Sequence, residues 1–269
     1  MMGQLSSVMT LTLALEVFVI VLLSLTSTPS QFAWAQGPTS NTSNFVIFPP
    51  DSQPYGLTYG EWTAKWWQWA HSISTENNPQ LDETGEDCAQ AQNQTGAVWF
   101  LAGTGGGSVE RTCTIPAGKS ILIPIINAAY VGTAGETEEV MRTGAKEWID
   151  SVTTLEASID GIPLQNLSNY RIQSPFFNET LPNDNILGEP EGTYLAVSDG
   201  YWLFLEPLPP GQHEIRLHGA IIDPTAISPT PSFETAVTYH LMVSDIAIPS
   251  TEQGSSNATT TNTTSVLTI

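Results

Sequence analysis

Four tryptophans fall within eight residues of the stretch Glu61–Ile73, EWTAKWWQWAHSI, and they constrain the fold more than any other feature of the chain. On a 3.6-residue period Trp62, Trp66, Trp69 and Ile73 form one narrow stripe with Ala70 beside it. Glu61, Ala64, Lys65, Gln68, His71 and Ser72 occupy the opposite face, so the pattern is that of an amphipathic helix. Its start is marked by Thr58 with Glu61 three residues later, a capping box, and Glu61 and Lys65 pair at i, i+4. Each tryptophan carries about 150 to 250 Å² of surface. Three on one exposed face would exceed the roughly 300 to 600 Å² patch that soluble monomers leave open. Trp62, Trp66 and Trp69 are therefore expected in a core, with their indole N–H groups partnered. Trp67 lies at the far edge of the apolar arc; it reads either as a rim residue covering the helix edge or as the one tryptophan offered to a ligand.

The core must be built mainly from β-strands. AVWFLAG reads as a buried strand, TGGGS as a turn, RTCTIP as the returning partner strand and SILIPIIN as another buried strand. A second helix is expected over Thr137–Val152, where Met141, Ala145, Trp148, Ile149 and Val152 recur at helical spacing. Beyond Leu155 the alternation is that of strands, with turns at Asp160-Gly161 and Asp199-Gly200, the latter read as a hairpin. The expected fold is mainly β: an antiparallel β-sandwich with two packed α-helices, at about 59–73 and 137–152.

The ends of the chain read differently. Residues 1–35 contain an apolar run, Val8 to Leu25, followed by Ala33-Trp34-Ala35, the A-x-A pattern of a signal peptide cut after Ala35. The segment before the run has no Lys or Arg, so an uncleaved anchor is the alternative, and the chain would then touch a membrane through this segment alone. Residues 36–44 form a polar leader, 45–248 a single globular domain and 249–269 a Ser/Thr/Asn-rich tail read as disordered. Both readings of the leader place the domain outside the cytoplasm, extracellular or at the cell surface. Six N-x-S/T sequons agree: Asn41, Asn93, Asn166, Asn178, Asn257 and Asn262. The only two cysteines, Cys88 and Cys113, suit one disulfide in an oxidising compartment.

Several motifs occur together: W-x3-W-W-x-W, N-P-x2-D-x-T-G-x2-C, V-W-F-L-A-G-T, R-x-C-x-I-P-A-G-K-x-I-L-I-P-I-I-N and D-G-Y-W-L-F-L-x-P-L-P-P-G-x-H-x-I. In this combination, from about Tyr59 to Val243, the chain resembles a family of exported prokaryotic (archaeal and bacterial) proteins to which no activity is assigned. The resemblance implies an exported single domain and no mechanism. The Asn/Thr-rich tail is similar to those of archaeal envelope proteins.

Charge excludes some partners. Seven Lys and Arg stand against 27 Asp and Glu, a formal net charge of −20, which disfavours nucleic acid and anionic lipid. No G-x-S-x-G elbow is present, and GTGGGS lacks the lysine of a phosphate-cradling loop. The four histidines are expected at surface or rim positions. Asp82, Glu83, Glu86 and Asp87 crowd the loop that Cys88 staples, and hard oxygen ligands on a loop suit calcium, the one cofactor the sequence suggests; solvated acids are the plainer reading. The function expected is an exported cell-envelope or extracellular binding module, with glycan or envelope components as partners. The alternatives are an extracellular carboxylate-dependent hydrolase and a purely structural cell-surface component.

Overall fold

The computed structural model describes residues 44–133, 135–222 and 231–245, all within one compact unit, Thr42–Ile269. The leader, the tail and the sequons Asn41, Asn257 and Asn262 lie outside the described residues. Among the described residues two α-helices, α1 (Tyr59–His71) and α2 (Glu138–Asp150), accompany ten strands. The strands are β1 (Val98–Phe100), β2 (Gly107–Pro116), β3 (Ser120–Val131), β4 (Val152–Ile159) and β5 (Ile162–Pro163), then β6 (Arg171–Gln173), β7 (Phe177–Leu181), β8 (Gly192–Leu205), β9 (Gly211–Ile222) and β10 (Pro231–Ser244).

They form two five-stranded sheets. The first has the order β1-β3-β8-β6 with β7 also paired to β8, and the second runs β2-β10-β9-β4-β5. Ile121, Ile123, Leu203 and Leu205 of the first sheet meet Ile115, Ile215, Leu217, Tyr239 and Leu241 of the second in one buried cluster, so the sheets pack face to face. The alternate residues of the first sheet, Leu122, Trp202 and Phe204, pack instead on the α1 tryptophans. β3 and β8 are thus covered on both faces, which is why their sequences read as near-continuous apolar runs. Pro124 sits within β3 where the register with β8 shifts, between Pro124 and Ile126, the kind of irregularity that tolerates a residue without an N–H.

The mainly β, sandwich-like architecture with two packed helices is as expected, but the sheets are mixed rather than antiparallel. β1 pairs with β3 in parallel, and β2 pairs with β10 in parallel. The expected β1–β2 hairpin does not form: after Thr104–Gly107 the chain crosses to the other sheet. Cys113 and Ile115 then join the inter-sheet core from one face of β2. Nor does Asp199-Gly200 turn. β8 runs straight through it, because Asp199 is held by Arg171 of β6 through two hydrogen bonds of 3.0 Å, Nε to Oδ1 and Nη2 to Oδ2. At Gly200 a Cβ would stand 2.6 Å from Cβ of Asn127, so the glycine serves close strand approach rather than a turn. Asp160-Gly161 does turn, with φ of 51° and 75° at the two positions, as a two-residue hairpin loop requires. The FVIF segment contributes only a single bridge, Ile47 to Leu205.

Both helix starts match the sequence. Thr58 Oγ1 accepts from Glu61 N and Thr58 N donates to the Glu61 carboxylate at 2.8 Å, closing the capping box; Thr137 caps α2. α1 ends at His71 and α2 at Asp150, each two residues short of expectation. No helix among the described residues is long and apolar enough to cross a membrane.

Candidate functional site

α1 lies on the first sheet with Trp66, Trp67 and Trp69 buried, whereas Trp62, expected in the core, is only partly buried, because a cleft opens beside it. Trp66 is fully enclosed, its Nε1 donating to Leu101 O at 2.9 Å and its ring 5.2 Å from that of Trp202. Trp69 Nε1 donates to Gln90 O and Trp62 Nε1 to Pro54 O, so the three stripe tryptophans have their expected partners.

Trp67 corrects the sequence reading. It is neither rim nor ligand platform: only 6 % of its surface is exposed, and it packs on Trp66 and on the ring of His71, 4.8 Å away. His71 is no surface histidine either. It is buried and its Nδ1 lies 2.7 Å from Oε2 of Glu179, which is buried too. The helix is therefore covered along a second stripe, Thr63, Trp67 and His71, by β7 and its neighbours. The FNETL sequence of β7 holds the missed signal: Phe177, Glu179 and Leu181 alternate onto one buried face, so the carboxylate points inward with two apolar side chains. Neither His71 nor Glu179 lines any of the clefts described below.

The acidic loop is organised by hydrogen bonds. Asp82 Oδ1 accepts from Thr84 N, Thr84 Oγ1 and Gly85 N, and Oδ2 accepts from Asp87 N. Partial burial alone would raise the pKa of Asp82, but these donors outweigh it and hold the group below the ordinary aspartate value. Asp87 is pushed up, by burial and then by the charges of Asp82 and Glu86. Glu83 and Glu86 are exposed. Among the described residues no group of three or more His, Cys, Asp or Glu side chains stands close enough to hold a metal ion. The loop is fastened by the Cys88–Cys113 disulfide, with Cα atoms 5.9 Å apart, and by buried Arg111, whose Nε donates to Asp82 O at 2.6 Å. Arg111 Nη1 also donates to Ala102 O, Gly103 O and the Tyr239 hydroxyl.

Between α1 and the segment 91–100 lies a cleft of about 300 Å³. Trp62, Lys65, Gln68 and Trp69 line it from the helix; Asn93 and Phe100 line it from the other side. Trp62 and Phe100 are half-buried, their ring centroids 6.4 Å apart at 67°, while Trp69 presents little more than an edge. Gln68 is exposed and anchored by donating to Asn178 O, which leaves its carbonyl oxygen for a ligand. Lys65 is exposed and takes part in no hydrogen bond among the described residues; its charge helps to lower the pKa of Glu61, after the hydrogen bonds from Thr58. No carboxylate lines this cleft, although the chain carries 27 acids.

A larger groove, about 660 Å³, runs over the second sheet past Glu156, Ser158, Arg216, His218 and Thr238, with no aromatic in its lining. Its charged groups are paired, in part with residues beside it: His218 contacts Glu156 at 3.3 Å and Glu234 at 2.8 Å, and Arg216 donates to Glu214. A neighbouring recess of about 350 Å³ contains Asp160, His213, Glu214 and His240, again without an aromatic. There Asp160 is occupied by His213 Nδ1 and by Glu214 N. None of these three clefts joins two carboxylates to an exposed aromatic, the pairing a glycoside-cleaving site would use.

No family model matches the chain, and no curated protein matches it significantly. Among solved structures it is similar to the cysteine protease inhibitor EhICP2 from Entamoeba histolytica at 12 % identity, over 55 % of this chain and 96 % of that one, with a TM-score of 0.21. It is similar also to Amebosin at 12 % identity, over 50 % of this chain and 96 % of that one, with a TM-score of 0.15. Likenesses this low carry no inference about fold or activity.

Proposed function

We propose that the chain is an extracellular or cell-envelope binding module and that it takes glycan in the cleft beside α1. One observation carries this reading: half-buried rings of Trp62 and Phe100 converge there with Lys65, Gln68 and Asn93 in a recess free of carboxylates. Sugar rings present C–H faces that pack on aromatic surface and hydroxyls that need planar amide and ammonium partners. Lys65 supplies an ammonium donor for saccharide hydroxyls, and the net charge of −20 favours neutral over acidic saccharides. The disulfide supports an oxidising location, together with the leader and the sequons of the sequence. A calcium role for the acidic loop is carried only by the acidity of its residues, and the hydrolase alternative has no geometric support at the three clefts.

The test is a titration of the intact protein with neutral and uronic oligosaccharides, read by tryptophan emission and calorimetry. Lys65→Ala and Gln68→Ala stand at exposed positions and leave the fold intact; each weakens binding at least fivefold on the proposed reading. A glycan array and cell-envelope fractions that retain nothing above background would sink it. Self-association without any small ligand would then favour a structural surface component.

A further inference from the structure

Three of the sequons fall among the described residues, and only one of them meets the cleft. Asn166 sits in a left-handed conformation before a 3-10 turn and Asn178 on β7; both are exposed, and neither lines a cleft described above. Asn93, of Asn93-Gln94-Thr95, is exposed and lines the α1 cleft. Its carboxamide is already oriented. Oδ1 accepts from Thr95 N at 3.2 Å, Thr95 Oγ1 at 3.1 Å and Gly96 N at 3.0 Å. Nδ2, the atom that an N-linked sugar would occupy, donates to nothing among the described residues. A Cβ at position 96 would stand 2.9 Å from it, so Gly96 leaves the carboxamide room in this orientation.

The turn that carries Asn93 is fixed from below. Lys119 Nζ donates to Gln94 O at 2.7 Å and also to the carbonyls of Asn93 and Gly96. Loss of hydration on burial pulls the Lys119 pKa below the usual lysine value. A hydrogen-bonded acceptor asparagine therefore stands in the lining of the same recess as the half-buried rings of Trp62 and Phe100.

We infer that Asn93 carries an N-linked glycan in the exported protein and that its first sugars lie in the α1 cleft, so that this modification sets whether the cleft is open to free glycan. In the transfer, Asn93 Nδ2 bonds to the anomeric carbon of an oligosaccharide carried on a polyprenyl phosphate or pyrophosphate. The bond from that carbon to the phosphate oxygen breaks, the lipid phosphate leaves with the electron pair, and the proton lost from Nδ2 balances it. No oxidation or reduction is involved. The site of attachment stands on the sequon and its geometry alone; the effect on free glycan rests on the proposed function of the cleft.

The experiment uses full-length protein recovered from cells that export and glycosylate it, as wild type, Thr95→Ala and Thr95→Ser. Peptide mass mapping is expected to show the Asn93 peptide heavier by a glycan in the wild type and in Thr95→Ser, and unmodified in Thr95→Ala. Tryptophan emission of Thr95→Ala should shift to the red of the other two as water replaces sugar in the cleft, and Thr95→Ala should bind free oligosaccharide at least tenfold tighter. An unmodified Asn93 peptide in the wild type overturns the inference. A modified peptide with identical emission from all three proteins overturns the placement of the sugar in the cleft. Modification and emission shift without free-glycan binding by Thr95→Ala would sink the proposed function and, with it, the effect on free glycan, and leave only the attachment at Asn93 and the placement of the sugar standing.

Discussion

His71 and Glu179 meet in the interior at 2.7 Å, from α1 and β7, with 3 % and 0 % of their side chains exposed. Glu179 Oε1 and the neighbouring Trp67 Nε1 are buried without partners, so the imidazole is the one group that compensates this carboxylate among the described residues. A buried pair adds little over a well-packed apolar pair, but loss of one member leaves the other uncompensated. His71→Leu is expected to lower stability by about 3 to 5 kcal/mol, with much of the loss recovered by Glu179→Met in the same chain. Urea unfolding of the single and double variants checks this. Additive losses would show that the two groups do not interact.

The covered second stripe of α1 changes what the tryptophans should do. Trp66→Ala is expected to cost about 3 to 5 kcal/mol, and Trp67→Ala a similar amount, since both are enclosed. Thermal unfolding in which Trp67→Ala behaves as a mild surface change would place that ring at the rim after all.

The disulfide closes a separation of 25 residues and holds the acidic loop against β2. The double change Cys88→Ser, Cys113→Ser should lower stability by about 3.5 kcal/mol in the chain-entropy view. Proteolysis of the reduced protein should begin within residues 82–97, ahead of any cut in the sheets; a first cut elsewhere would count against the loop being held mainly by this bond.

Asp82 should contribute to acid sensitivity. Its folded pKa lies below the ordinary value, so its stabilisation is present above the unfolded carboxylate pKa and is lost as pH falls through the lower folded value. Asp87, with its pKa raised, acts in the opposite sense and softens the effect. Melting temperatures of wild type and Asp82→Asn should differ most near neutral pH and converge as pH drops to about 2. A difference that is constant with pH would mean that the lost hydrogen bonds matter and the charge does not.

Gly200→Ala should destabilise by about 1 to 3 kcal/mol, because its Cβ would strike Asn127 across β3 and β8. Chemical denaturation of the two proteins checks this; an unchanged midpoint would show that the strands part to admit the methyl group.

Much of this protein is determined locally. The Thr58–Glu61 capping box and the 3.6-residue tryptophan period fix where α1 begins and which stripe is apolar, and the Asp160-Gly161 turn closes by its own conformational preference. The disulfide needed no fold to be foreseen, since two cysteines allow one pairing. What the tertiary structure decided are relationships between distant segments. Asp199-Gly200 has the composition of a turn, yet strand pairing on both sides and the Arg171 contact hold it extended. The parallel pairing of β2 with β10 joins residues about 130 apart, which no local signal encodes. The cleft beside α1 likewise exists only because the loop after the helix returns to bring Asn93 and Phe100 opposite Trp62 and Lys65. His71 looked polar-facing because a helix period reports which residues share a face and not how many faces are covered; the inward carboxylate of Glu179 supplied the reason to bury it.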